Sequence, residues 1–125
     1  MNLKALELEL QEKGLVSAPR ITPDDIEANI ASEHYFRAVE ATAGSAAQSK
    51  YAPDWEVPKT LEALCCLTFC VLVLKNGYTV TGESACVSSA NFNADVGRSI
   101  ARKNAVEKIW PLMGYALKER LANGL

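Results

Sequence analysis

Arg98 and Arg102 stand four residues apart in a stretch with the spacing of a helix. One turn separates them, so both guanidinium groups share a face and can meet one anion. Phe92 precedes that helix and offers a ring for a base to stack on. Asn91, Asn93 and Asn104 add amide donors and acceptors, while Thr81 and Glu83 can take a ribose hydroxyl. Backbone N–H groups at the start of the helix favour an anion as well. Together, Arg98, Arg102, Phe92, Asn104, Glu83 and Thr81 are the groups a nucleotide-like ligand needs. The competing reading is a solvated arginine face with Phe92 pinned into the core.

The chain lacks the constellations of an enzyme. No nucleophile and base stand at a recognisable spacing, and no glycine loop is built to cradle a phosphate. The run Thr81-Gly82-Glu83-Ser84 has the wrong glycine pattern for a nucleophile elbow and reads as a strand with a close-packed glycine. Asp24 and Asp25 resemble a carboxylate pair, but a capped helix start explains them. His34 is the single histidine, and it reads as packed or surface-exposed. Cys65, Cys66, Cys70 and Cys86 do not form paired metal-ligand sets and read as reduced structural thiols. A non-enzymatic protein without metal or cofactor is the expectation.

With 125 residues and a net charge of −2, the chain suits one small domain and has no basic footprint for DNA or RNA. The apolar run 61–74 is too short to span a membrane, and no secretory signal is visible, so the expected location is cytoplasmic.

The elements that must position these groups centre on residues 70–87, CVLVLKNGYTVTGESACV. Asn76-Gly77 between two β-prone runs predicts a hairpin with a two-residue turn. That register sets Val73 against Val80, Leu72 against Thr81 and Cys70 against Glu83. One face then carries Phe69, Val71, Val73, Tyr78 and Val80 and is expected to meet helices. The other carries Cys70, Leu72 and Leu74 beside Thr79, Thr81 and Glu83, and is half polar. A lone hairpin is marginal in water, so a homo-oligomer is expected.

The expected fold class is α+β: a two-stranded antiparallel hairpin over about residues 67–87, packed by helices over 23–39, 94–110 and 111–122. Thr22 followed by Pro23, Asp24 and Asp25 opens the first of these. In it, Glu33 and Arg37 are spaced to pair. Asn93 can cap the second, and its Gly97, Ala101 and Ala105 form a small-residue stripe that permits close approach of another element. Pro111 ends that helix or begins the next. Leu3, Leu6 and Leu10 suggest an N-terminal docking helix stopped at Gly14, although alternation of Leu6, Leu8 and Leu10 leaves a strand open. Residues 41–59 are small and polar and read as a mobile loop or insertion, with Trp55 either pinning it or serving an interface.

Three stretches carry a resemblance to a known family. They are residues 21–36 (ITPDDIEANIASEHYF), 67–105 (LTFCVLVLKNGYTVTGESACVSSANFNADVGRSIARKNA) and 106–121 (VEKIWPLMGYALKERL). Together they resemble the small phage protein family named after phages N4 and Sf6. The resemblance implies a virus-encoded accessory protein acting in the host cytoplasm, with no established catalytic motif to carry over. A hairpin, a short phenylalanine-bearing loop and an arginine-bearing helix are also similar to the phage anti-defence sponges of the Thoeris system. That likeness implies an oligomer that sequesters a signal of the cyclic ADP-ribose type without cleaving it. The alternative is an oligomeric phage protein that binds a host protein and takes no small ligand.

Overall fold

A computed structural model describes residues 2–14, 18–44, 47–51 and 57–124. Its centre is a three-stranded antiparallel sheet, β1 (Ile30–Arg37), β2 (Leu67–Leu74) and β3 (Thr79–Ala85), in the order β1-β2-β3. A long helix, α5 (Ala94–Ala122), lies across one face of β2 and β3. The shorter helices are α1 (Leu3–Glu12), α2 (Pro23–Ala28), α3 (Ala38–Thr42) and α4 (Val57–Cys65).

The α+β class stands, but the sheet has a third strand where a helix over 23–39 was expected. The start is as read: the Thr22 hydroxyl accepts from the Asp25 N–H, and the Asp25 carboxylate accepts from the Thr22 N–H. The helix then stops after Ala28. Residues 30–37 contain the β-branched Ile30 and the aromatics Tyr35 and Phe36, types that suit a pleated strand better than continuation of a six-residue helix. Pairing with β2, in register from Ser32↔Val73 to Arg37↔Thr68, decides the matter by tertiary contact. Glu33 and Arg37 therefore do not pair with each other; Arg37 bonds Glu40.

The hairpin is present with a shifted register. Val73 faces Thr79, Leu72 faces Val80, Cys70 faces Gly82 and Phe69 faces Glu83. The Gly77 N–H donates to the Leu74 carbonyl at 2.9 Å, and the Leu74 N–H donates to the Tyr78 carbonyl at 2.8 Å. The loop thus holds Lys75, Asn76 and Gly77, with Gly77 at φ +89°. A three-residue loop ending in left-handed glycine matches strand twist as well as a two-residue turn does. One residue of shift exchanges the faces of β3 relative to β2. The buried face is therefore Thr68, Cys70, Leu72 and Leu74 beside Val80 and Gly82. Phe69, Val71 and Val73, expected to meet helices, lie on the other face with Thr79, Thr81 and Glu83.

The small-residue stripe acts as its spacing suggests. Gly97, Ala101, Ala105 and Ile109 are the buried residues of α5. A Cβ on Gly82 would collide with the Ala101 carbonyl oxygen and the Ala105 amide nitrogen, so strand and helix backbones touch there. Ile26, Leu72, Leu74, Val80 and Ile109 fill the core around this contact.

The expected break at Pro111 does not occur, and α5 runs unbroken for 29 residues. Pro111 and Glu107, whose carbonyl loses its helical donor, are both exposed, so water can meet the freed group. Helix α1 is stopped by Gly14 at φ +69° and holds no buried residue. It is tied to the body by a two-pronged bond from Arg20 to Glu7. The segment read as a mobile loop contains the end of α3 and the start of α4; Trp55 lies outside the described residues.

Candidate functional site

The end of the sheet where β1 leaves and α5 begins forms a recess of about 150 Å³. Tyr35, Phe36 and Arg37 reach it from β1, Thr68 from β2, Glu40 from α3, Phe92 from the loop, and Arg98 from α5. Local sequence explains the arrangement. Ser88 and Asn93 punctuate the segment between β3 and α5: the Ser88 side chain accepts from the Ala90 N–H, and Asn93 caps α5 by accepting from the Val96 N–H at 3.0 Å. Phe92, between these two fixed points, turns inward. Gly97 faces Thr68, with the Thr68 hydroxyl 3.0 Å from where a Cβ would stand, so α5 seats tightly beside the recess.

Arg37 lies over the Phe92 ring, its guanidinium carbon 5.1 Å from the ring centre. Its Nε also donates to Glu40 at 3.2 Å. Arg98 bonds Asp95, whose side chain is 90% exposed. Solvent-exposed pairs of this kind are worth about 0–1 kcal/mol. The recess thus presents two arginines, each paired with a carboxylate, and an aromatic face.

Of the residues singled out from sequence, Arg98 and Phe92 come together here. Arg102, one turn further along α5, is engaged elsewhere: it bonds the carboxylates of Glu27, at 2.7 and 3.0 Å, and Glu33, at 3.1 and 3.3 Å. Those bonds hold both carboxyl groups below the usual carboxylate value and push the Arg102 guanidinium above its own. Glu33 also accepts from the Tyr35 hydroxyl at 2.8 Å. Burial, and then that bond, raise the Tyr35 phenol well above its ordinary value. Asn104 donates to the backbone carbonyl of Glu83 at 2.8 Å, which satisfies an acceptor on the edge strand. Thr81 and the Glu83 side chain lie on the outer sheet face, away from α5, opposite the buried Val80 and Gly82. The structure does not bring them to Arg98.

Arg37 is the residue that sequence reasoning missed. Pairing with β2 sets Glu33, Tyr35 and Arg37 on the α5 side of β1, and no local pattern in residues 30–37 announces it. His34 is exposed on the opposite side, with its Nε2 3.0 Å from the Ser32 hydroxyl. Among the described residues, no group of three or more His, Cys, Asp or Glu is placed to hold a metal ion. No described helix is long and apolar enough to cross a membrane.

The sequence model of the phage protein (N4 Gp49/phage Sf6 gene 66) family matches residues 21–121. No curated protein and no solved structure matches the chain.

Proposed function

This chain belongs to the phage protein (N4 Gp49/phage Sf6 gene 66) family, and on that premise we propose that it is a non-enzymatic accessory protein of the host cytoplasm that sequesters an anionic, nucleotide-derived signal. The observation that carries the reading is Arg37 and Arg98 in one recess with Phe92, Arg37 lying 5.1 Å from its ring. The arginines supply charge-assisted bonds to phosphate oxygens, and Phe92 supplies a stacking surface. No side chain in the recess is a poised nucleophile, so the bound molecule leaves intact.

The recess holds about 150 Å³, whereas pockets for drug-sized ligands run to roughly 300–1,000 Å³. One chain therefore receives one anionic end of the ligand, and a second copy completes the enclosure. A homo-oligomer also suits the outer sheet face, where Phe36 stacks on Phe69 at 5.3 Å with Val71 and Val73 alongside.

Calorimetry with cyclic ADP-ribose isomers and cyclic dinucleotides tests the reading. A charge-assisted contact contributes ~1.5–3 kcal/mol, so Arg98→Ala weakens binding by about tenfold or more. If folded wild-type protein binds none of these ligands, the sequestering function is lost and binding to a host protein takes its place. Equal binding by wild type, Arg98→Ala and Phe92→Ala keeps the function and moves the site. The host-protein reading has one feature in its favour: Leu3, Leu6 and Leu8 of α1 are exposed.

A further inference from the structure

We propose that Cys66 and Cys86 form a redox-active thiol pair that closes to a disulfide across the open end of the β2–β3 hairpin. The inference is separate from ligand binding and rests on the register. The ladder from Val73↔Thr79 to Leu67↔Ala85 sets Cys66 directly opposite Cys86 at its next step. The Cys86 N–H donates to the Cys66 carbonyl at 3.1 Å, which holds the two backbones in that alignment. Residues of a hydrogen-bonded antiparallel pair have Cα atoms about 5.5 Å apart. A disulfide accepts about 4.4–6.8 Å. Both side chains line one small cavity of about 100 Å³ between the hairpin end and α5, together with Ser84, Phe92 and Gly97. All four cysteines are free thiols in this structure.

Hydrogen bonding to the Cys86 thiol, and then burial, raise the Cys66 thiol above its ordinary value. Cys66 is buried and Cys86 is half-buried, so Cys86 meets an incoming oxidant first. The oxidant is a small-molecule disulfide. The Cys86 thiolate attacks one of its sulfurs, forming a mixed disulfide and releasing one small thiolate. Cys66, losing its proton to that thiolate, then attacks the Cys86 sulfur and releases the second. Two protein thiols are oxidised to one disulfide, and one small disulfide is reduced to two thiols. Closure ties the start of β2 to the end of β3 beside Phe92, and reductant reverses it.

The test treats the full chain with oxidised glutathione, digests it without reductant and maps the linked peptides. The expected result is a Cys66–Cys86 link that Cys65→Ser leaves intact, Cys86→Ser removes and dithiothreitol reverses. Circular dichroism confirms that both variants are folded. A link through Cys65, a protein that stops at the mixed disulfide, or no oxidation while the chain stays folded overturns the proposal.

Discussion

Gly82→Ala adds one methyl group where the backbones of β3 and α5 touch. That methyl would lie well inside contact distance of the Ala101 carbonyl oxygen and Ala105 amide nitrogen, and 3.0 Å from the Ala105 Cα. These are backbone atoms, so no rotamer change relieves the overlap. Carbon contacts settle at about 3.5–4.0 Å, so strand and helix must part by on the order of 1 Å. Parting loosens Ala101 and Ala105, which pack on Gly82, and with them the neighbouring seat of Gly97 on Thr68. Overpacking costs typically ~1–3 kcal/mol, and a backbone-to-backbone clash belongs at the upper end. At this chain length each kcal/mol is worth roughly 3–5 °C, so the melting temperature should fall by roughly 10–15 °C. Gly114→Ala is the control: the same chemical change, made in α5 with nothing within 4 Å of the added carbon. Alanine is favoured over glycine inside a helix by about 0.5–1 kcal/mol, so this variant should melt slightly higher than wild type. Scanning calorimetry or denaturant unfolding of the three proteins reads both signs. A Gly82→Ala protein that melts with wild type would refute the seating of α5 on β3, and with it the placement of Arg98 beside Arg37.

Gly77→Val should cost about 1–2 kcal/mol, because Gly77 sits at φ +89° and a β-branched residue strongly resists that region; an unchanged unfolding midpoint would move the turn. Glu27 and Glu33 have depressed carboxyl values in the folded state, so their stabilisation is present above the ordinary value of about 4.3 and is lost as pH falls through the depressed ones. Arg102→Ala should therefore be less stable than wild type near pH 7, by about 1 kcal/mol given the exposure of the pair, with the gap closing under acid; a gap constant from pH 7 to pH 3 would show that Arg102 acts through packing alone.

Legibility followed the range of each interaction. Caps are local, and Thr22, Asn93 and Gly14 do what their types suggest. The stripe on α5 is periodic, and its burial followed from spacing alone. The strand at residues 30–37 was hidden because it follows a well-capped helix start, and its partner lies about 37 residues away at the midpoint pairing His34↔Val71. Nothing local states that α2 stops at Ala28. Pro111 misled in the opposite direction: an exposed helix position tolerates proline when long-range packing fixes the helix on both sides of it.

The register carried the largest consequence. Asn-Gly is compatible with a two-residue turn, and also with a three-residue loop that ends in left-handed glycine. Both registers place a run of apolar side chains on one face of β2, since residues 69–74 are apolar throughout. The sequence of β3 breaks the tie. Val80 and Gly82 are its apolar residues of the buried set, and Gly82 requires a backbone partner with no side chain between. Only the face shared with Cys70 and Leu72 meets the small-residue stripe of α5. Two complementary features, a strand glycine and a glycine–alanine helix stripe, therefore identify the buried face better than the turn dipeptide does. The same shift turns Phe69, Val71 and Val73 to the outer face beside Thr81 and Glu83 and sets Cys66 against Cys86. A site assembled from several elements inherits any error of one residue in how those elements pair, whereas Arg98 and Phe92, only six positions apart across one capped turn, are free of it.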